Sequence, residues 1–265
     1  MWPLNERVVV ITGASSGIGR ATALAAARAG AQVAIAARRQ SRLHALAGDI
    51  RRMGRIAHVF PVDLADHAAA TWLVDAVIVR LKRIDVLVNN AGYALHALIE
   101  DGHPDDFERL FAVNVISPLA AMRAAIPTMR KQREGHIVNV ASLAAARGLP
   151  SLGVYCATKA ALVRATEAVR LELRGSGVRA SVVSPGLVTG TEFGEAMQVG
   201  DPARPPRRRR FRFRSPSAED VAEVIMTCVR TGAGDVTIPR AGRLAFAAGM
   251  APGLADLALS CLLKD

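Results

Sequence analysis

The chain has 265 residues, of which 51% are hydrophobic, so it can bury a substantial core in one large domain or two small ones. Its net charge of +11 includes six arginines in one stretch, without which the charge is +5: Arg207, Arg208, Arg209, Arg210, Arg212 and Arg214. The three cysteines, Cys156, Cys228 and Cys261, have no paired or metal-ligand spacing, so the sequence implies neither a disulfide framework nor a zinc site. The first seven residues contain no apolar signal region, and we expect a reduced, cytoplasmic setting.

Short β-branched runs alternate with longer, alanine-rich stretches along the chain. The runs are nearly continuous in apolar residues, as strands buried on both faces are, and they cover residues 7–12, 32–38, 56–63, 85–91, 136–142, 179–185 and 235–239. Helical spacing marks segments between them, among which are 20–29, 67–81, 107–131, 154–174 and 218–231. Ser217, with Asp220 three residues later, is typical of a helix start. This alternation predicts a parallel sheet covered by helices on both faces, within one domain over residues 1–243.

Glycines punctuate the first β–α turn, which reads Thr-Gly-Ala-Ser-Ser-Gly-Ile-Gly over residues 12–19. They permit a tight turn and let backbone N–H groups approach a ligand closely. The helix that follows points its positive end at that ligand, so a pyrophosphate is the natural occupant. The spacing is G-x-x-x-G-x-G rather than the commoner G-x-G-x-x-G, and a plain tight connection is the simpler alternative.

Tyr155 and Lys159 lie four residues apart, with Ser142 thirteen residues before the tyrosine. On a helix this spacing places the phenol and the ammonium on one face. A free phenol ionises near a pH of about 10, and a neighbouring cation favours the phenolate. The trio predicts proton-transfer machinery. The simpler alternative is an ordinary helix with one buried aromatic residue and one solvated amine.

An ordered set of motifs covers nearly the whole chain: residues 12–19, Asp63-Leu64, Asn89-Asn90-Ala91-Gly92, Asn114, Ser142, Tyr155-x-x-x-Lys159 and Pro185-Gly186. In this order and spacing the chain resembles the short-chain dehydrogenase/reductase family. The resemblance implies a single Rossmann-type, doubly wound α/β domain whose seven parallel strands have the order 3-2-1-4-5-6-7. It also implies reversible interconversion of a carbonyl and an alcohol, and a homodimer or homotetramer.

The same resemblance assigns a catalytic set of four residues. Tyr155 is expected to act as the acid for carbonyl reduction or the base for alcohol oxidation, and Ser142 to hydrogen-bond the substrate oxygen. Lys159 is expected to lower the tyrosine pKa and bind the nicotinamide ribose. Asn114 is expected to bend its helix and hold a water that links Lys159 to solvent. The competing class is a non-catalytic dinucleotide-binding regulator or scaffold, for which this relay has no use.

The cofactor contacts implied by the resemblance lie at the strand ends. Asp63 and Leu64 are expected at the adenine, and Asn90, Ala91 and Gly92 beyond the fourth strand. The full cofactor set comprises Gly13, Ser15, Ser16, Gly17, Ile18, Gly19, Arg38, Arg39, Asp63, Leu64, Asn90, Ala91, Gly92, Tyr155, Lys159, Pro185, Gly186, Val188 and Thr191. After Pro185-Gly186 the chain is one residue longer than the usual pattern, which leaves Thr189 and Thr191 as candidates for a cofactor contact. Thr191 is favoured.

The second strand ends in Arg38 and Arg39, with no acidic residue beside them. NAD-specific sites usually place an acid here for the ribose 2′-hydroxyl, whereas a basic residue favours a 2′-phosphate. NADP(H) is therefore the predicted cofactor, with Arg38 as the favoured phosphate contact. The simpler alternative is that both arginines are solvated.

Residues 194–216 correspond to the mobile substrate lid of the family and contain the arginine-rich stretch. A solvated flexible lid, recruitment of an acidic substrate, carrier or anionic membrane, and nucleic-acid binding are the three alternatives. Nucleic acid is disfavoured because no binding module accompanies the patch.

The C-terminal extension, residues 244–265, is unusually apolar. It packs on the domain or a second subunit, or inserts shallowly at a membrane surface near a hydrophobic substrate. Its prolines and glycines disfavour a spanning helix.

Overall fold

Seven parallel strands form the central sheet in a computed structural model, which describes residues 2–193, 197–199, 215–248 and 253. The strands are β1 (Val8–Thr12), β2 (Gln32–Ala37), β3 (Ala57–Pro61), β4 (Val86–Asn89), β6 (Gly135–Val140), β7 (Val178–Pro185) and β9 (Asp235–Ile238). Two further strands of two residues each, β5 (Leu95–His96) and β8 (Gln198–Val199), pair with one another. The order β3-β2-β1-β4-β6-β7-β9 confirms the predicted order of the seven main strands.

Helices cover both faces of this sheet, as the β–α alternation predicts. They are α1 (Gly17–Arg28), α2 (Gln40–Arg52), α3 (His67–Leu81), α4 (Pro104–Phe111), α5 (Ser117–Gln132), α6 (Gly153–Glu172), α7 (Ala218–Thr231) and α8 (Arg243–Ala248). A π-helical turn, Ala112–Ile116, joins α4 to α5, and 3₁₀ turns span Leu143–Ala146 and Arg240–Gly242. The predicted start of α7 is confirmed, because Ser217 and Asp220 form a reciprocal capping box.

Alternate side chains of each strand serve two separate cores. In β1, Val9 and Ile11 pack with α1, α2 and α7, whereas Val8 and Val10 pack with α3 and α5. This division follows from the two-residue period of a strand, and it explains why the strand sequences are largely apolar. The buried side of α1 is mostly alanine, which lets that helix approach the sheet closely. The two cores hold the carboxyl ends of the strands in a fixed array.

The continuous helix Pro104–Gln132 is long and apolar enough to cross a membrane by length and composition. Core helices pass the same test, and Ala121, Met122, Ala125 and Met129 of this helix are buried against the sheet. Its apolar character is therefore explained by its place in the fold.

The predictions for the substrate lid and the C-terminal extension lie largely outside the described residues, and so does the arginine-rich stretch. Within the described part, Cys156 and Cys228 are free and buried, and its His, Cys, Asp and Glu side chains form no metal-binding group.

Candidate active site

The glycine-rich turn is held between the ends of β1 and β4. The Thr12 hydroxyl accepts hydrogen bonds from the backbone N–H groups of Asn90 and Ala91, both at 3.0 Å. The Asn90 side-chain amide donates to the Thr12 carbonyl at 2.9 Å. A Cβ on Gly19 would lie 2.3 Å from the Gly13 carbonyl oxygen, so this close approach requires glycine. The predicted cofactor residue Asn90 thus has a structural role, since its amide fastens the turn.

The positive end of α1 lies beside two serines and an arginine. The Ser16 hydroxyl accepts a hydrogen bond from Arg39 Nη2 at 2.7 Å, and it makes no capping bond to the helix. Arg39 also donates to the Ser15 hydroxyl, from Nη2 at 3.0 Å and Nε at 3.2 Å. The first N–H groups of α1 and a guanidinium therefore converge on one place, a setting that suits an anion. A cavity of about 290 Å³ opens there, and Gly17 is among its lining residues.

Tyr155 lies in the first turn of α6 and is only 6% exposed. Burial raises the pKa of its phenol to about 12, while a hydrogen bond with the Ser142 side chain acts to lower it. The Ser142 hydroxyl is itself oriented, because it accepts from the Ala144 N–H at 3.1 Å at the start of a 3₁₀ turn. The two predicted residues that face the substrate oxygen are thus brought together beyond β6.

Lys159 lies one turn further along α6 and is 4% exposed. Its Nζ donates to the Val140 carbonyl at 3.1 Å and lies 5.9 Å from the centroid of the Tyr155 ring. Burial lowers the pKa of the ammonium to about 8. Lys159 is expected to lower the pKa of Tyr155, but in this structure that pKa is raised, because burial of the phenol has the largest effect on it. That role stays a prediction for the cofactor complex.

Asn114 is fully buried in the π-helical turn between α4 and α5. Its Nδ2 donates to the Tyr93 carbonyl at 3.0 Å and to the Thr158 hydroxyl at 3.1 Å. Its Oδ1 accepts from the Tyr93 N–H at 3.2 Å. The expected local departure from α-helical geometry is present at this residue. Asn114 thereby ties the segment after β4 to α6, which carries the tyrosine and the lysine.

Gly92 leaves room for this arrangement. A Cβ at this position would lie 3.0 Å from Asn114 Oδ1 and 3.2 Å from Lys159 Nζ. An alanine here would crowd both polar atoms, so the glycine keeps the asparagine and the lysine close to the same space.

The segment after β7 folds back over the glycine-rich turn. An ideal Cβ on Gly17 would lie 3.2 Å from Thr191 Cγ2, whereas the Thr189 hydroxyl donates to the Pro216 carbonyl at 3.3 Å. The structure therefore places the favoured threonine at the turn and the other away from it. Pro185 ends β7, and the Gly186 N–H donates to the Ile238 carbonyl at 2.8 Å.

Four other predicted cofactor residues have simpler surroundings. Leu64 is buried in the core that contains Val8 and Val10, whereas Ile18 and Val188 pack against the core on the other face of the sheet. Asp63 is half exposed beyond β3, where its carboxylate accepts from the Ala65 N–H at 3.0 Å. Their contacts with a cofactor stay predictions.

Two residues that sequence reasoning missed, Glu192 and Arg42, line the cavity beside the proposed anion site. The Glu192 carboxylate accepts a hydrogen bond from Arg39 Nη1 at 2.7 Å, and it also pairs with Arg42. The structure thus brings Arg39 to the serines, although the sequence favoured Arg38. Arg42 could have been found, since it follows Arg39 by one helical turn. Glu192 could not, because it comes from a distant part of the chain.

Comparisons with known proteins identify the family and the fold. The family model described as short chain dehydrogenase matches residues 7–200. A 2-(S)-hydroxypropyl-CoM dehydrogenase of Xanthobacter autotrophicus is 34% identical over 240 residues, which cover 88% of this chain and 93% of that protein. An uncharacterized oxidoreductase of Staphylococcus epidermidis is 34% identical over 204 residues, 75% of this chain and 87% of the relative.

Two solved structures share the fold over most of the chain. A short-chain dehydrogenase/reductase from Burkholderia phymatum in complex with NAD has a TM-score of 0.83 at 27% identity, covering 98% of this chain and 97% of its own. A metagenomic short-chain oxidoreductase in complex with NADP has a TM-score of 0.75 at 29% identity, covering 89% and 98%. The fold, the ordered motifs and the matched family model together show that the chain belongs to the short-chain dehydrogenase/reductase family.

Proposed function

We propose that the protein is an NADP(H)-dependent oxidoreductase that reversibly interconverts a carbonyl and an alcohol, with Tyr155 as the general acid or base. The observation that carries this proposal is the set formed by Ser142 and the buried side chains of Tyr155, Lys159 and Asn114. A nicotinamide dinucleotide, when bound, supplies or accepts the hydride at the substrate carbon.

The residues of the set divide the proton chemistry between them. Because burial raises its pKa to about 12, Tyr155 keeps its proton at neutral pH and can donate it to a carbonyl oxygen. The Ser142 hydroxyl already contacts the phenol and can hydrogen-bond the same oxygen as charge develops there. Lys159, whose pKa is about 8, is mostly charged at pH 7 and can stabilise the phenolate that remains.

The preference for NADP(H) rests on Arg39, Ser15 and Ser16. One guanidinium and two hydroxyls surround the start of α1, where a 2′-phosphate can form charge-assisted hydrogen bonds. Arg39→Ala is expected to raise the Kd for 2′,5′-ADP by roughly tenfold or more, since hydrogen bonds to charged groups contribute about 1.5–3 kcal/mol. Arg38→Ala is the matched control. An equal loss of affinity for 2′,5′-ADP in both variants would support the phosphate contact that the sequence predicted for Arg38.

A hydrophobic substrate is favoured by the surroundings of the phenol. Tyr155 belongs to an apolar cluster with Leu95 and Leu110, and Phe107 packs against it. The Phe193 ring lies 6.0 Å from the Tyr155 ring, between centroids. A substrate carbonyl that reaches the phenol therefore meets mostly hydrocarbon, which suits an aliphatic or aromatic group on at least one side.

The assembly proposed for the protein is a cytoplasmic homodimer or homotetramer. Ile116, in the turn before α5, is 42% exposed, and Leu171, near the end of α6, is 59% exposed. An oligomer that uses α5 and α6 would cover side chains at these two positions. Light scattering coupled to size exclusion measures the mass directly, and a monomer at micromolar concentration contradicts this assembly.

NADPH oxidation with a panel of aldehydes, ketones, quinones and keto-lipids tests the activity. Tyr155→Phe is expected to abolish turnover while 2′,5′-ADP still binds, because the phenol contributes to proton transfer and not to the 2′-phosphate site. Tyr93→Phe is the matched control, since it removes the other phenol hydroxyl of the chain, which has no hydrogen-bond partner among the described residues. Turnover retained in Tyr155→Phe would refute the acid. Binding without turnover on any substrate would favour the regulator.

A further inference from the structure

Glu192 places a carboxylate inside the arginine cluster of the proposed cofactor site. Its Oε2 accepts from Arg39 Nη1 at 2.7 Å, and its Oε1 pairs with Arg42. The same Arg39 holds the Ser15 and Ser16 hydroxyls through its other nitrogens. One arginine thus joins a carboxylate to the two serines at the start of α1. The carboxylate satisfies the guanidinium groups that an incoming phosphate would use.

The charge of this side chain is secure at physiological pH. Hydrogen bonds from Arg39 and Arg42 lower the pKa of the Glu192 carboxyl to about 2, so it is ionised over the whole physiological range. Glu192 also lines the cavity of about 290 Å³ beside the glycine-rich turn. An anionic group that enters this cavity therefore meets a negative charge as well as the arginines.

The carboxylate of this site comes from a different chain segment than in most dinucleotide sites. In dinucleotide sites that favour NAD, a carboxylate near the end of the second strand accepts from the ribose 2′-hydroxyl. Here β2 is followed by two arginines, and the carboxylate arrives from the segment after β7, next to Thr191. Features that favour each cofactor are therefore present in one site, contributed by two distant segments of the chain.

We propose that Glu192 is a specificity-determining residue that reduces the preference of this site for NADPH over NADH. The proposal rests on the proposed function, because it concerns the same cofactor site. A 2′-phosphate must take Arg39 and Arg42 from the carboxylate before it can bind them fully. A 2′-hydroxyl needs neither arginine and can donate a hydrogen bond to the carboxylate. Glu192 thus opposes the phosphate and tolerates or supports the hydroxyl.

The test is calorimetric binding of 2′,5′-ADP and of 5′-AMP to the full chain and to Glu192→Gln. The Kd for 2′,5′-ADP should fall by roughly threefold to tenfold in the variant, in keeping with the modest strength of exposed charge pairs. The Kd for 5′-AMP should stay the same or rise. Glu223→Gln on α7 is the matched control, because it removes one carboxylate charge from another exposed arginine pair, that with Arg230. It should leave both constants unchanged.

The outcomes separate this proposal from the proposed function. If wild-type protein binds both fragments and Glu192→Gln does not lower the ratio of the Kd for 2′,5′-ADP to the Kd for 5′-AMP, the role of Glu192 is wrong while the cofactor site stands. An equal shift in Glu223→Gln would reduce the effect to net charge and overturn the role as well. If neither fragment binds wild-type protein, the cofactor site itself fails.

Discussion

Gly19→Ala is a substitution for which helix propensity and the tertiary structure predict opposite signs. Gly19 is the third residue of α1, and alanine in place of glycine inside a helix ordinarily stabilises by about 0.5–1 kcal/mol. Here the new Cβ would lie 2.3 Å from the Gly13 carbonyl oxygen and 2.5 Å from Asn90 Nδ2. Neither atom can move away freely. The Gly13 oxygen belongs to the backbone, and Asn90 Nδ2 is held by its hydrogen bond to the Thr12 carbonyl at 2.9 Å. Overpacking of this kind destabilises by about 1–3 kcal/mol.

The matched variant is Gly48→Ala in the interior of α2, where the nearest atom to a new Cβ is Arg52 Nη1 at 3.7 Å. That variant should gain about 0.5–1 kcal/mol, because only the propensity acts. Urea unfolding of both variants measures the change from the transition midpoints at constant slope. Binding of 2′,5′-ADP should weaken in Gly19→Ala alone, since the displaced turn forms the anion site. If both variants are stabilised alike, the close packing of the turn described above is wrong.

Three further substitutions test the buried polar groups and a helix start. His136 is buried and its pKa is lowered from 6.5 to about 4, so between these pH values the unfolded chain protonates this histidine whereas the folded chain does not. Stability should fall by about 3 kcal/mol as the pH drops from 6.5 to 4, and the slope should be smaller in His136→Asn; equal slopes contradict this. Lys159→Met should lose turnover yet raise stability at pH 7 by up to about 3 kcal/mol, because it removes a buried ammonium. Between pH 8 and 10.5 the wild-type lysine is neutral in the folded chain but still charged in the unfolded chain, so wild-type stability rises with pH and the gain fades. A gain that stays constant over that range would point to packing as its cause. Ser217→Ala removes half of the capping box of α7 and should destabilise by about 1 kcal/mol in urea unfolding; an unchanged transition midpoint would contradict the role of this cap.

The parts of the fold that depend on local pattern were predictable from the sequence. Strands buried on both faces are largely apolar, so β1 and β6 could be predicted from their sequences, with ends accurate to one or two residues. Tyr155 and Lys159 were predictable as a pair because helical geometry places residues four apart on one face. Their link to Asn114 came from the order of motifs, and the structure supplies its physical form in the hydrogen bond to Thr158.

Contacts between residues that are distant in the chain could not be predicted from the sequence. The sequence rule for cofactor choice examines the end of β2, and there it found only arginines; the carboxylate that neutralises Arg39 lies 153 residues further along the chain. Nothing local in Thr-Glu-Phe indicates that Glu192 turns toward the arginines rather than toward solvent. The tyrosine pKa shows the same limit, since spacing predicts an approaching ammonium but burial depends on the apolar cluster assembled around the phenol. Charge balance in this site is therefore a property of the folded chain, because partners that decide it are adjacent in space and distant in sequence.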